Sequence, residues 1–188
     1  MNAPLHPTAA VAATSATTAT TPTTAADPGA DRLALRAALG RYATGVTIIT
    51  CRTPDGARVG LTANSFSALS LDPPLVLWSL RQASSSLAPF AASAGFAVNV
   101  LAEDQAELSR RFASSVADKF HQGDWTDGAH GAPVLAGCTA VFECTLTHQQ
   151  AAGDHVLFIG QVQRHRHAPE LPALVFHAGH YHAVGERL

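Results

Sequence analysis

The stretch Gly45 to Ser70, GVTIITCRTPDGARVGLTANSFSALS, decides the fold, and Asp72-Pro73-Pro74-Leu75 closes it. Val46 to Thr53 is dense in β-branched side chains and reads as a strand. Pro54-Asp55-Gly56 is a turn: Pro fixes φ, Asp bonds its own backbone, and Gly accepts positive φ. Arg58 to Ala63 returns as the second strand of a hairpin. Thr62-Ala63-Asn64-Ser65 then offers short side chains with hydroxyl and amide groups. Such groups let a ligand approach the backbone and present neutral donors to phosphate or to ring heteroatoms. Composition alone also allows a plain polar turn at this point.

Outward from this stretch, the chain of 188 residues is long enough for one domain with a real core. A formal charge of −2 provides no broad basic field for nucleic acid or an anionic membrane surface. No apolar run approaches the about 20 residues that span a bilayer. Cys51, Cys138 and Cys144 lie in strand-like runs without CxxC spacing. They read as buried reduced thiols of a cytoplasmic protein, with one disulfide left open. Residues 1–30 are nearly all Ala, Thr and Pro and lack the features of a secretory or mitochondrial leader. Without large apolar side chains to offset ordering entropy, they are expected to be a disordered tail, with the folded domain over 31–188.

The spacing predicts a helix from Arg32 to Tyr42, capped by Asp31, with Leu35, Leu39 and Tyr42 on one face. Phe66 to Leu71 is read as the third strand, and Leu75 to Leu80, apolar on both faces, as a central fourth. RQASSS (81–86) leads into a short helix over 87–93. Phe96 to Leu101 is a fifth strand, and Asp104 is placed at the cap of a helix ending near Phe112. Val116 to Pro133 has no period and is long for a loop. From Cys138 to His148 apolar and polar residues alternate as in a half-buried strand. Gly153-Asp154 turns the chain into a partner strand, His155 to Gln163, and a short pair surrounds Gly179. Hairpins outnumber helices, which points to a mainly β, closed antiparallel barrel with peripheral helices.

No Walker loop, GxGxxG, GxSxG or HExxH occurs, so any dinucleotide is held outside a Rossmann fold. His177, His180 and His182 lie close in sequence but lack a carboxylate or cysteine at ligand spacing, and no metal is expected. His155 stands at a hairpin mouth, where it either orients a polar ligand group or simply closes the turn on Asp154. Ser84-Ser85-Ser86 bonds a phosphate or caps the next helix. Lys119 and Arg111 either face a phosphate or are solvated. Trp78, Phe96 and Phe158 are expected in the core, and Trp125 as a loop anchor.

An ordered series of short motifs adds to this. It comprises ALGRYATGV (38–46), LTANSF (61–66), SLDPPL (70–75), Ser84-Ser85, FAVNVL (96–101), Asp118-Lys119-Phe120, Gly153-Asp154-His155 and Gly179-His180-Tyr181. Together they resemble the short-chain flavin reductases, the reductase components of two-component flavin-dependent monooxygenases, from about Leu35 to Tyr181. Each motif is weak alone; the order and spacing make the set specific. The resemblance implies an antiparallel split β-barrel of the FMN-binding type with a few peripheral helices, forming a homodimer. It also implies oxidation of NADH or NADPH and reduction of FMN or FAD, with reduced flavin passed to a separate oxygenase. Carried over by position, Thr62, Ala63, Asn64 and Ser65 are flavin contacts. Ser79, Ser84, Ser85, Lys119 and Phe120 are ribityl and phosphate contacts, and Asn99 approaches the ring edge. His155, the catalytic candidate, sits beside the nicotinamide with Asp154, and Tyr181 closes that pocket.

Hydride transfer between two bound rings needs no protein nucleophile, so the role expected of His155 is orientation. Two other readings stand beside the reductase: a split-barrel oxidase that retains its flavin, and a flavin- or haem-binding module without turnover.

Overall fold

The computed structural model describes residues 28–186. Helix α1 (Pro28–Leu39) precedes strands β1 (Thr44–Gly45), β2 (Thr47–Arg52), β3 (Arg58–Ala63), β4 (Ser67–Leu71) and β5 (Pro74–Arg81). Helix α2 (Leu87–Ala92), strand β6 (Gly95–Val100) and helix α3 (Ala106–Ala113) follow, then β7 (Trp125–Asp127) and β8 (Pro133–Leu135). The chain ends with β9 (Ala140–Ala152), β10 (His155–His167), β11 (Val175–His177) and β12 (His180–His182).

Seven strands form one antiparallel sheet in the order β3-β2-β6-β9-β10-β5-β4. Its edge strands, β3 and β4, are consecutive in sequence and joined only by Asn64-Ser65-Phe66. That link reaches about 14 Å at most, whereas a flat seven-stranded sheet would hold its edges about 29 Å apart. The sheet must therefore curl until its edges face each other without pairing. The result is a split barrel.

The barrel interior is filled by Trp78, which stacks on Phe158 at 4.6 Å and meets Phe90 and Phe96 edge-on. Gly160 exists because of this packing: a Cβ there would lie 2.4 Å from the Phe96 ring. A second apolar layer, including Val46, Ile48, Leu101, Phe112, Val134 and Leu135, covers the other face of β2 and β6. Strand β2 serves both layers, which explains why Thr47 to Cys51 are buried without a break. All three cysteines are free and buried, and burial pushes each thiol up to about 12. No described helix is long and apolar enough to cross a membrane.

Several expectations need correction. Helix α1 begins at Pro28, a residue suited to a first helical turn, so 28–30 are helical, while the rest of the expected tail (1–27) lies outside the described residues. Its apolar face is not buried: Leu35, Leu39 and Tyr42 are 61%, 65% and 79% exposed. The first predicted strand, Val46 to Thr53, is β2 at Thr47–Arg52, and the two residues before Val46, Thr44 and Gly45, pair with β11. Strand β5 is next to the edge and not central, since β4 lies outside it. Gln105, not Asp104, holds the N-cap position of α3, without a side-chain cap bond there. Its Oε1 accepts the Ala102 N–H at the start of the 3-10 turn 103–105, within which Asp104 lies. Ser86 occupies the α2 cap position without a side-chain cap bond. In the first half of β9 (140–146) both faces are covered, while 147–152 are exposed, and Glu143 is buried where it accepts from Ala129 N and Arg164.

The long segment 116–133 is pinned down. Arg52 holds the Gly131 carbonyl at 2.9 Å and the Asp127 carboxylate at 2.5 Å, and Trp125 packs on Phe112 and Phe120.

Candidate functional site

Strand β3 and the end of β5 line a cleft of about 1300 Å³. Its walls are β3 with its exit, the end of β5, the 83–86 turn, the end of α3 and the 114–121 segment. Ligand pockets commonly enclose about 300–1000 Å³, so this one has room for two ligands in contact. Ten of the expected residues line it: Thr62, Ala63, Asn64, Ser65, Ser79, Ser84, Ser85, Lys119, Phe120 and His155. Asn99, Asp154 and Tyr181 do not.

Along the β3 wall the hydroxyls are already engaged. Thr62 Oγ1 donates to the Ser109 carbonyl at 2.6 Å. Ser65 Oγ donates to the Ser79 carbonyl and accepts the Ser79 N–H, both at 3.0 Å, which ties the link to β5 across the split. Neither hydroxyl has a proton left for a ligand, so both face the cleft as acceptors. This corrects the expectation of hydroxyl donors from this stretch. Asn64 is exposed, and its amide has no hydrogen-bond partner among the described residues. Gly60 keeps the wall low: a Cβ there would meet the Phe112 ring at 2.7 Å.

The opposite end carries charge. Lys119 is half-buried, and its Nζ donates to the Phe112 carbonyl at 2.8 Å. No carboxylate pairs with it among the described residues, and desolvation lowers its pKa from the usual lysine value. A cation in this state gains from any anion that enters. Arg111 does not line the cleft; it donates to the Asp118 and Lys119 carbonyls and so sets the Lys119 segment. Phe120 packs edge-on against Phe112, with ring centroids 5.1 Å apart. Across the cleft, Ser84 Oγ accepts the Ser86 N–H, leaving its own proton free, and the Ser85 side chain makes no hydrogen bond among the described residues.

His155 opens β10 opposite Arg81 of β5. Its Nδ1 lies 2.7 Å from the Asp154 carboxylate, and that bond holds the Asp154 pKa below its ordinary value. An ionised carboxylate only accepts, so a proton sits on Nδ1 and Nε2 is the ring nitrogen left for a ligand. His155 closes the turn on Asp154 and also lines the cleft. Asp154 acts on the cleft only through it.

Asn99 is fully buried on β6. Its amide donates to the Ile48 carbonyl at 3.0 Å, and its oxygen accepts the Leu135 N–H at 2.8 Å. It fastens β8 to the sheet, which corrects the expected ring contact. Tyr181 spends its hydroxyl on Ser109 Oγ at 2.7 Å and does not close the cleft within this chain. Sequence reasoning missed Arg58 and Arg81, both in the lining. Arg81 comes into place through the β5–β10 pairing, which no local pattern announces.

With this geometry in place, comparison with known proteins is informative. A model of the flavin reductase like domain matches residues 39–185. The chain belongs to the flavin reductase like family. The FMN reductase (NADH) SmoA of Agrobacterium fabrum is 43% identical over 139 residues, covering 74% of this chain and 79% of that protein. A flavin-dependent monooxygenase reductase subunit, HsaB of Rhodococcus jostii, is 42% identical over 154 residues, covering 82% and 78%. Among solved structures, the NADH:FAD oxidoreductase SgcE6 of Streptomyces globisporus, in complex with NAD and FAD fragments, superposes with a TM-score of 0.79. It is 36% identical, and the match covers 85% of this chain and 95% of that one. Two Rhizobium meliloti relatives are longer, and the chain spans 42% and 57% of their lengths. The split barrel is thus the fold of this flavin reductase like family, as the sequence implied.

Proposed function

We propose that this member of the flavin reductase like family is an NAD(P)H-dependent flavin reductase that binds FMN or FAD and the nicotinamide nucleotide together in the cleft. The observation that carries the reading is Lys119, a half-buried cation without a carboxylate partner among the described residues, lining the same cleft as Ser84 and Ser85. Unpaired positive charge in one cleft with free hydroxyls is the kind of donor set a phosphate requires. The residues present therefore fit a flavin nucleotide. When bound, flavin supplies the redox chemistry, taking up a hydride from NADH or NADPH.

The residues of this chain bind and orient. Lys119, Ser84 and Ser85 hold phosphate and ribityl oxygens. Asn64 and the backbone at Thr62 and Ala63 meet the ring edge, where Thr62 and Ser65 accept hydrogen bonds from it. Ser79 and Phe120 complete the walls. His155 turns its Nε2 to the carboxamide of the nicotinamide, with Asp154 fixing the ring. The cleft, larger than one mononucleotide needs, keeps the two rings together and excludes bulk water from between them.

The reading extends to assembly and partners. Leu33, Leu35 and Leu39 on α1, with Tyr42 and Leu71, form an unusually exposed apolar set, which supports a homodimer. Three buried free thiols support a cytoplasmic setting. A relative named as a monooxygenase reductase subunit supports a separate oxygenase as the consumer of reduced flavin.

The test is NADH and NADPH oxidation by the purified protein with FMN, FAD or no added flavin. Turnover that requires flavin and saturates in it is the expected result. Flavin binding without nicotinamide oxidation would overturn the reading in favour of a binding module.

A further inference from the structure

We infer that Tyr181 is a positioning residue for the flavin end of the cleft, acting through Ser109 and Thr62 without touching either ligand. Tyr181 sits on β12, outside the cleft lining, and its hydroxyl lies 2.7 Å from Ser109 Oγ. Its ring is fixed on two sides: by Phe176, 5.6 Å between centroids, and by the Arg110 guanidinium, 5.1 Å above the ring. Ser109 is fully buried in α3, and its carbonyl takes the Thr62 hydroxyl proton at 2.6 Å. One residue of α3 thus joins the C-terminal hairpin to the β3 wall.

The chemistry of Thr62 follows from that arrangement. With its proton held by Ser109, Thr62 Oγ1 presents only lone pairs to the cleft and selects a ligand N–H or O–H donor. Without the tyrosine hydroxyl, Ser109 Oγ loses its outward partner and turns back toward carbonyls of its own helix. The Ser109 carbonyl then shifts, and the Thr62 hydroxyl is freed to point its proton into the cleft. A donor facing a donor weakens binding, and the nicotinamide side, organised by Asp154 and His155, is left unchanged.

The inference rests on the flavin reading of the cleft, and a double-mutant cycle separates the two. The enzyme is assayed for flavin KM and NADH KM in Tyr181→Phe, Ser109→Ala, Thr62→Val and the Tyr181→Phe/Thr62→Val double variant. Tyr181→Phe is expected to raise flavin KM about fivefold, the worth of one net hydrogen bond, with NADH KM unchanged. Ser109→Ala removes the same bond from its other end and should reproduce that split, which keeps the test decisive if Tyr181→Phe folds poorly. In the Thr62→Val background Tyr181→Phe should have no further effect. Additive effects, or a rise in NADH KM instead, would overturn the inference and leave the flavin site standing. A Thr62→Val enzyme with unchanged flavin KM would also overturn the inference, whereas wild-type protein without flavin-dependent turnover would overturn the flavin reading itself.

Discussion

Two parts of the cleft differ in what their polar groups are already doing. On the β3 wall, Thr62 and Ser65 have given their protons to Ser109 and Ser79. At the other end of the cleft, Lys119, whose Nζ reaches the Gly60 carbonyl of β3, has no counter-charge among the described residues, and on the facing wall the Ser84 proton is free. The Thr62 and Ser65 hydroxyls are spent and accepting; Lys119 and Ser84 are left to donate. A ligand with donors on its ring and a phosphate at its far end matches both. The difference teaches that residue type alone does not assign a binding role, because a spent hydroxyl and a free one look alike in sequence. Asn64 and Asn99 repeat the point: the first is exposed, the second is fully buried with its amide engaged by Ile48 and Leu135.

The sharpest way to break the comparison is to exchange its members. Asn99→Ala leaves the Leu135 N–H and the Ile48 carbonyl without a buried partner and is expected to cost about 2–4 kcal/mol of stability. Flavin affinity of the folded fraction should not change; chemical denaturation with flavin titration checks both. Lys119→Ala should do the reverse. Loss of one charge-assisted contact is worth about 2 kcal/mol, or roughly a 30-fold weaker flavin Kd, with a smaller effect on unfolding. Fluorescence titration measures it.

The same lysine gives a pH dependence. Burial lowers its pKa below the usual 10.5, and bound phosphate requires the charged form. Flavin affinity should be flat through neutral pH and fall as the lysine deprotonates, beginning below its ordinary range. The Lys119→Ala variant should not show that fall. A smaller effect is expected at the nicotinamide end. His155→Ala removes one oriented ring nitrogen and should raise NADH KM several-fold, about 1 kcal/mol, with flavin Kd within twofold. The smallest effect concerns the cysteines: thiols at about 12 remain protonated at pH 8 and should resist alkylation until the protein unfolds.

Much of this architecture was legible in the sequence, and the failures have physical reasons. The β2–β3 hairpin was plain because Pro54-Asp55-Gly56 encodes its own turn, with Gly56 at φ +90°. The β9–β10 pair was plain because Gly153, at φ +60°, stands between two long runs. Ten of the residues named from the motif series line the cleft, because most of them lie where strands end and loops begin. What stayed hidden depends on pairing between distant strands. Arg81 meets His155 only through the β5–β10 register. Asn99 faces β8 because β6 is covered on both sides. The α1 face reads as core by periodicity, yet nothing in the described chain covers it. Periodicity reports that a face is apolar, not what buries it.

The central claim is that the charged end of the cleft recognises phosphate. Paired titrations of FMN and riboflavin against the wild-type protein and Lys119→Ala test it most directly, since the two ligands differ only in that group. The account predicts that wild type prefers FMN by at least tenfold and that the preference collapses in the variant. An FMN-to-riboflavin ratio that stays the same when Lys119 is removed would contradict it.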